Sequence, residues 1–455
     1  MWVQHGLSVL FSTVFLLVFV TTASASSGGK LINRATSSDG VVRGVNLGGW
    51  LLTEKWITPS VYTNDAEDEW HLCEELGKKK CLSNLQDHWS SFFTKSDFED
   101  IKAAGLNSLR IPIGYWAVDV RDDEPYVTGQ YPYLIQAVYW AQELGLSILL
   151  DLHGAPGSQN GQDNSGLIGP TLFPTNTSNV DRTLNVLKNL TQEFSQDIYG
   201  GTVIGIELLN EPRLSSTFTM SGLKDFYTSA SEIIRGVSDT INITMHDAFY
   251  GPQYWADYNP LANTTNSNNH FTIDTHQYYA FEPLNNLPHD VILEKVCNVS
   301  KILKLTNNGL LPIVVGEWSL ETGHAPNSTS STVQNKDDSQ AKRTWFRLFF
   351  ESQLAAYSPN GPNQPSIGWY YWTWKTDYDI DTWSYRRGIA QGYIPKDVSN
   401  SSTLAFPILD NGCVDSSFNY TAPRNPTSTG FRDLSSIRAV IWACLLGIAG
   451  FVVQL

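Results

Sequence analysis

Charged residues are scarce in this sequence, and basic residues are the scarcer kind. Only 16% of the 455 residues are charged, and 30 Lys and Arg stand against 45 Asp and Glu, which gives a formal net charge of −15. Nucleic-acid binding and adhesion to an anionic membrane both require a basic surface, so this balance argues against both. Disorder is excluded as well, because 42% of the residues are hydrophobic and can form a large core.

Metal-binding patterns and internal repeats are also missing. The nine His show no H-E-x-x-H spacing, and no close Cys or His pairs accompany the five Cys. We therefore expect no metal and no organic cofactor. The length would fit one large domain or two, and without a repeat we expect a single catalytic domain.

A short apolar segment lies near the start of the sequence. Residues 7–20 are apolar and are followed by Ala23, Ser24 and Ala25. A segment of this length before small residues is typical of a signal peptide, here residues 1–25, and is too short for a membrane span. We expect a secreted protein whose catalytic domain occupies residues 26–424.

A second apolar segment ends the sequence. Residues 439–455 follow a polar spacer at 425–438 that contains Ser428, Thr429 and Gly430. Small residues, a spacer and an apolar tail are typical of a GPI-attachment signal, and a retained membrane anchor is the alternative. We expect the protein at the cell wall or the outer face of the plasma membrane.

The cysteines agree with an extracellular location. Four remain when Cys444 is removed with the tail, and an even number in a secreted chain suggests two disulfides. Three pairings are possible, and the spacing favours Cys73 with Cys81 and Cys297 with Cys413. The density of N-x-S/T sequons indicates a glycosylated surface; they begin at Asn176, Asn189, Asn242, Asn263, Asn298, Asn327, Asn400 and Asn419.

Short apolar segments alternate with longer, often helical stretches. Eight segments are rich in Val, Ile and Leu without alternation, as strands buried on both faces are. The intervals leave room for a helix between each pair. Eight such units predict an α/β fold, a (β/α)₈ TIM barrel with decorated loops. The predicted strands start at Val41, Leu106, Leu146, Thr202, Asn242, His270, Leu311 and Ile367.

Polar side chains recur where these strands end, which in such a barrel is the active-site face. Glu211 follows the fourth strand and Glu317 the seventh. Two carboxylates that flank a glycosidic bond can hydrolyse it. Glu207 is expected in the barrel wall, where it would need a partner. The other strand-end residues are Arg110, His153, His246, Asp247, His276, Tyr278 and Trp372.

Several motifs, in this order, resemble the fungal exo-β-1,3-glucanases of glycoside hydrolase family 5. They are GVNLGGWLLTEKWITPS, LRIPIGYW, DLHGAPGSQNGQDNSG, LLNEP, HDAFYG, DTHQYY, VVGEWS and GWYYWTWKT. The resemblance extends from Val41 to Cys413. It implies retaining exo-hydrolysis of a β-1,3-glucan polysaccharide or oligosaccharide from the non-reducing end, with release of glucose and a role in the cell wall.

The resemblance also implies roles for individual residues. Glu211 would be the general acid/base and Glu317 the nucleophile, and Asn210 would bind the sugar 2-hydroxyl. Glu54 and Asp163 would bind the far hydroxyls of the terminal glucose and so close the pocket.

Further roles follow from the same resemblance. Tyr278 would orient Glu317, Arg110 would keep it ionised, and Trp372 would lie beneath the sugar ring. His153 and His276 would line the subsite where the bond breaks.

One position departs from the family pattern. Members can carry two phenylalanines that clamp the sugar on the leaving side; Phe281 matches one, but Gln162 stands at the other position. An amide lacks a stacking face, so we expect a weaker grip on the leaving sugar and less transglycosylation.

Other activities remain open at this point. They are a β-1,6-glucanase, a broad β-glucosidase, a glucan-remodelling transglycosylase and a non-catalytic glucan-binding wall protein. We expect the chain to act as a monomer.

Overall fold

Eight parallel strands close into a barrel in the computed structural model. Each strand pairs with its neighbour in sequence, and β1 pairs with β8 through Val42 and Gly368, so no edge is left open. The strands are β1 Val42–Asn46, β2 Ser108–Gly114, β3 Ser147–Gly154, β4 Val203–Glu207, β5 Asn242–His246, β6 Phe271–Tyr279, β7 Ile313–Thr322 and β8 Ser366–Tyr371. The structure describes residues 40–63, 65–262, 270–285, 287–306, 309–322, 339–409, 411–413 and 415.

Helices surround the barrel, as the alternation of segments predicts. The (β/α)₈ prediction is confirmed, with one local difference. Between β5 and β6 the described residues contain only a 3₁₀ turn, Pro252–Trp255, instead of a helix. The helices are α1 Glu69–Leu76, α2 Lys78–Ser91, α3 Lys95–Ala103, α4 Tyr131–Leu144, α5 Thr177–Phe194, α6 Met220–Arg235, α7 His289–Leu303, α8 Ser339–Tyr357 and α9 Tyr385–Gln391.

Local sequence signals explain where these helices begin and which face they bury. Thr94 and Asp97 form a reciprocal capping box at the start of α3, and the Thr219 side chain accepts from the Gly222 amide at the start of α6. Such caps satisfy amides that have no partner within the helix. Residues of α6 at helical spacing, such as Leu223 and Ala230, are buried against the barrel. The strands are buried on both faces, and β2 and β3 are buried along their whole length.

The two predicted disulfides are confirmed. Cys73 and Cys81 join α1 to α2, and Cys297 joins α7 to Cys413 across a sequence separation of 116 residues. The second bond closes a long loop, the case in which a cross-link is expected to restrict the unfolded chain most.

Five of the eight sequons lie in the described part of the chain. Asn242 is half-buried, and its Nδ2 donates to Thr272 Oγ1 at 2.7 Å. This side chain is therefore engaged within the fold and not free to carry a glycan. The other four described sequon asparagines are exposed: Asn176, Asn189, Asn298 and Asn400.

The predicted signal peptide, the spacer and the C-terminal apolar tail lie outside the described residues. Within the described ranges, no helix is both long and apolar enough to cross a membrane.

His88 is a buried group that should make stability depend on pH. Its Nε2 lies 2.8 Å from the Gly49 carbonyl, and burial lowers its pKa to about 4. As pH falls below about 6.5, the unfolded chain therefore takes up a proton at His88 before the folded chain does. The stability that neutral His88 contributes is fully present above that pH and is lost as pH falls toward 4.

We expect His88→Gln to reduce this dependence. Between pH 7 and pH 5 the parent should lose about 2 kcal/mol more unfolding free energy than the variant, because only the parent protonates this residue on unfolding. Denaturant unfolding at the two pH values measures the difference. Equal losses in parent and variant would contradict the assignment.

Candidate active site

Arg110 organises the carboxyl end of the barrel from within β2. Its side chain is fully buried, and Nη1 donates to Glu317 Oε1 at 2.8 Å while Nε donates to Glu207 Oε2 at 2.9 Å. Nη2 donates to Asn210 Oδ1 at 2.8 Å and lies 3.1 Å from Asp151 Oδ2. Burial opposes the charge, but the surrounding carboxylates outweigh it and raise the pKa of Arg110. Glu207 thus lies inside the barrel, with Arg110 as its partner.

Glu317 lies on β7 with both carboxylate oxygens held. Arg110 binds Oε1, and the Tyr278 hydroxyl donates to Oε2 at 2.8 Å. Burial raises the pKa of Glu317, while the charges of His276 and Arg110 oppose that rise. These contacts fix the rotamer and favour the ionised form.

Glu211 lies in the loop after β4, in a backbone conformation that is rare for its residue type. Its φ is 45°, and such strain concentrates at functional sites. His276 Nδ1 donates to Oε1 at 2.7 Å, and Asn164 Nδ2 donates to Oε2 at 2.9 Å. Burial raises the pKa, but the bond from His276 and the nearby histidine charges outweigh burial and lower the pKa to about 2.

His276, on β6, lies between the two glutamates. Its Nδ1 is 2.7 Å from Glu211 Oε1 and 3.5 Å from Glu317 Oε2. These two carboxylate oxygens cannot be farther apart than the sum of those distances. This closeness is compatible with the separation of roughly 5 to 5.5 Å between the carboxyl groups of retaining glycosidases.

His153 and Trp372 stack on each other beside Asn210. The rings of His153 and Trp372 are parallel within 9°, with centroids 5.5 Å apart. Asp151 Oδ2 lies 2.5 Å from His153 Nδ1, and Asn210 Nδ2 lies 3.4 Å from His153 Nε2. The Asp151 contact directs Nε2 of the imidazole toward Asn210.

Two further acidic residues, Glu54 and Asp163, interact electrostatically with Glu211. Trp56 Nε1 donates to Glu54 Oε2 at 2.9 Å, whereas the buried Glu54 Oε1 has no hydrogen-bond partner in the described part of the chain. Burial and the charge of Asp163 raise the pKa of Glu54, and burial also raises that of Asp163. An acceptor without a partner in a buried wall is suited to a sugar hydroxyl.

The remaining predicted residue, Phe281, is exposed to solvent. Phe281 is 59% exposed, and its ring lies 5.7 Å from that of Tyr278 and 6.4 Å from that of Trp383. Contacts and charge interactions thus link all eleven predicted site residues to this one end of the barrel.

Sequence reasoning missed the residues that support these side chains. Asn46 accepts from Arg110, and Asp274 lies 3.6 Å from His276 Nε2. Asn164, adjacent to Asp163, contacts Glu211 directly. The available signal was that all three lie within the motifs GVNLGG, DTHQYY and DLHGAPGSQNGQDNSG; the contacts themselves require the closed barrel.

Two clusters of potential metal ligands occur among the described residues: Glu211 with His246 and His276, and Glu207 with Asp274 and His276. In the first, His246 Nδ1 accepts from the Ala248 amide at 3.0 Å. Because Nδ1 accepts, the single proton of the neutral His246 imidazole lies on Nε2. A protonated ring nitrogen has no lone pair for a metal, so Nε2 is not a ligand in this state.

In the second cluster, the Arg110 guanidinium already contacts the two carboxylates. It lies 2.9 Å from Glu207 and 3.7 Å from Asp274. The carboxylates of this cluster are therefore already paired with the positive charge of Arg110.

A buried and a partly buried glutamate that share one histidine, at the carboxyl end of a (β/α)₈ barrel, are an arrangement suited to cleave glycosidic bonds. The fold and the site define a glycoside hydrolase. The chain belongs to glycoside hydrolase family 5, since the family model described as cellulase (glycosyl hydrolase family 5) matches residues 73–377.

Curated relatives and solved structures agree with this placement. A probable glucan 1,3-beta-glucosidase A of Aspergillus fumigatus is 35% identical over 429 residues, covering 87% of this chain and 97% of that protein. A glucan 1,3-beta-glucosidase of Kluyveromyces lactis is 38% identical over 397 residues, covering 79% and 89%. The crystal structure of a rutinosidase from Aspergillus niger shares the fold, with a TM-score of 0.65 and 22% identity over 78% of this chain and 98% of that one.

Proposed function

We propose that this enzyme is a retaining exo-β-1,3-glucanase that releases glucose from the non-reducing end of the chain. The observation that carries the proposal is the Glu211–His276–Glu317 contact, because two carboxylates that share one histidine are close enough to act on one glycosidic bond. The relatives named glucan 1,3-beta-glucosidase support the linkage.

Glu317 acts as the nucleophile in this proposal. Arg110 and Tyr278 keep it ionised and aim it at the anomeric carbon, where it forms a covalent glucosyl ester. Asn210, itself held by Arg110, binds the sugar 2-hydroxyl, a contact that strengthens in the transition state.

Glu211 acts as the acid and then as the base. In the substrate-free protein the proton lies on His276, since the pKa of Glu211 is about 2. Burial lowers the pKa of His276, but the charge of Glu317 is the largest influence that raises it. As Glu317 bonds to the sugar, that charge disappears, so the proton can pass through Glu211 to the leaving oxygen.

The exo mode rests on Glu54 and Asp163. Glu54 offers an unpaired acceptor, and Asp163 lies near enough to influence its charge. Their carboxylates would bind hydroxyls of a terminal glucose and leave no path for a longer chain on that side.

Product analysis tests this proposal. The protein is incubated with laminarin and with the β-1,6-glucan pustulan, and the products are followed by chromatography and by proton NMR of the anomers. We expect laminarin to yield glucose alone, first as the β-anomer. Early oligosaccharides would refute the exo mode, faster release from pustulan would indicate a β-1,6-glucanase, and binding without release would indicate a wall-binding protein.

Tyr278→Phe tests how Glu317 is kept ionised. Loss of the hydroxyl donor destabilises the carboxylate, so the pKa of Glu317 should rise. We expect the acid limb of kcat/KM on an aryl glucoside to move upward by about one pH unit. Tyr139→Phe, at an exposed position on α4, is the control. An unchanged limb in Tyr278→Phe would refute this role.

Gln162→Phe tests the grip on the leaving sugar. Gln162 lies directly before the 3₁₀ turn Asp163–Ser165 and offers no ring for stacking. We expect the phenylalanine to raise the ratio of transglycosylation to hydrolysis, because an acceptor sugar would then stack at this position. The ratio is measured from laminaribiose products at high substrate concentration, and no rise would contradict the idea.

Secretion and wall location also belong to the proposal. The signal peptide at 1–25 and the GPI signal at 425–455 would place the domain at 26–424 beside the cell wall as a monomer. The two disulfides support an oxidising compartment. The fungal relatives support a task in cell-wall glucan metabolism.

A further inference from the structure

Glu54 and Asp163 lie in two different loops. We call residues 47–63, which follow β1, the β1 loop, and residues 155–176, which follow β3, the β3 loop. Glu54 belongs to the first loop and Asp163 to the second. A sugar that contacts both carboxylates requires the two loops to keep a fixed spacing. The contacts that join the loops therefore bear directly on binding.

Two buried carboxylates at the start of α1 join these loops. Asp68 is the N-cap of α1 and Glu69 is its first residue, and both are fully buried. Asp68 Oδ2 accepts from the Ile168 amide at 2.8 Å, and the Trp70 amide donates to the Gly166 carbonyl at 3.0 Å. The start of α1 is thus bonded to the β3 loop at two points.

Glu69 holds the backbone directly before Glu54. Its Oε2 accepts from the Thr53 amide at 2.9 Å and from the Thr53 hydroxyl at 3.0 Å. The Tyr62 hydroxyl donates to the Thr53 carbonyl at 3.1 Å, so the peptide bond that leads into Glu54 is held as well. With these groups of Thr53 engaged, the position of Glu54 follows from that of Glu69.

The Trp116 ring connects Glu69 to the β3 loop. Its Nε1 donates to Glu69 Oε1 at 2.7 Å. The ring lies so close to the backbone that a Cβ added at Gly154 would lie 2.7 Å from a ring carbon, and one added at Gly166 would lie 2.3 Å from another. Glycine at these positions lets the β3 loop rest directly on the indole. Glu69 therefore contacts the β1 loop through one oxygen and reaches the β3 loop through the other.

We propose that Glu69 is a positioning residue that places Glu54 against the β3 loop and so makes the enzyme prefer a complete terminal glucose. Its two oxygens are occupied by Thr53 and Trp116, so it acts through Glu54 and not on the sugar itself. Weakening these bonds shifts the Glu54 carboxylate while the catalytic glutamates keep their shared histidine. The inference rests on the proposed function, in which Glu54 and Asp163 bind the far hydroxyls of the terminal glucose.

Paired substrates test the inference in Glu69→Gln. The glutamine amide has one accepting oxygen, so its NH2 must face either the Thr53 amide or the Trp116 indole N–H, and both are donors. kcat/KM is measured on p-nitrophenyl β-glucoside and on its 4-deoxy and 6-deoxy analogues, each of which lacks one far hydroxyl. We expect the preference for the glucoside over at least one analogue to fall about tenfold, the effect of about one hydrogen bond.

A milder variant and a control accompany this measurement. Thr53→Val keeps the shape of the side chain and removes only the hydroxyl that donates to Glu69, so the preference should fall about threefold. Glu75→Gln makes the glutamate-to-glutamine change at an exposed position of the same helix and should keep the parental preference. Circular dichroism establishes which variants are folded, and Thr53→Val decides the question if Glu69→Gln is not.

The outcomes separate this inference from the proposed function. A parent that does not cleave the glucoside refutes the function itself. A parent that cleaves the glucoside and both analogues equally well refutes the binding of the far hydroxyls, and the inference with it. A parental preference that persists in the folded variants refutes the role of Glu69 alone. Equal losses on all three substrates would also refute that role, because they would indicate a general structural effect and not a displaced Glu54.

Discussion

Glu317→Gln is expected to lower kcat/KM on laminarin by about 10⁴- to 10⁶-fold, the loss typical when a covalent nucleophile is removed. Glutamine has nearly the same shape: its amide oxygen can accept from Arg110 and its NH2 can donate to the Tyr278 hydroxyl, in place of the two bonds of 2.8 Å that the carboxylate accepts. It cannot form the glucosyl ester. The loss should therefore appear in kcat with little change in substrate binding.

The control for this variant is Glu232→Gln, at an exposed position on α6. It makes the same chemical change at a position outside the glutamate network and should retain parental kinetics. A Glu317→Gln protein that is folded and keeps more than about a hundredth of parental activity would refute the nucleophile assignment.

Glu211→Gln is expected to produce a loss that depends on the leaving group. On laminarin, where the departing sugar needs a proton, kcat/KM should fall by about 10²- to 10⁴-fold. On 2,4-dinitrophenyl glucoside, whose leaving group needs no proton, kcat/KM should fall far less. The glucosyl ester should then persist, because no base activates water.

Azide provides the check on this prediction. A small anionic nucleophile needs no general base, so it should restore turnover of the activated glucoside by Glu211→Gln and yield β-glucosyl azide. Azide should not yield β-glucosyl azide with Glu317→Gln, because that variant forms no glucosyl ester. Equal losses on both substrates, or absence of rescue, would show that Glu211 is not the acid/base residue.

Local pattern in the sequence predicted most of the barrel. Apolar runs such as VIGIELL and LPIVVG become β4 and β7 because strands buried on both faces need side chains of that kind. The interval between β5 and β6 was predicted to hold a helix from its length alone. In the described part of that interval, residues 247–262 and 270, the chain instead forms a 3₁₀ turn and a loop with positive φ at Ala248 and Phe249.

The network around the glutamates was only partly predictable. Motif resemblance placed Arg110 beside Glu317, but it supplied no partner for Glu207. Arg110 is 97 residues from Glu207 and 207 residues from Glu317 in sequence, so the three meet only after the barrel closes. No periodicity within a segment encodes such contacts, which depend on strand order and register.

Trapping the covalent intermediate tests the central claim most directly. The protein is treated with a 2-deoxy-2-fluoro-β-glucosyl fluoride, whose fluorine slows release of the ester more than its formation, and the digested protein is analysed by mass spectrometry. We predict one fluoroglucosyl group, on the peptide that contains Glu317. A label on a different carboxylate, or time-dependent inactivation without any label, would contradict the account.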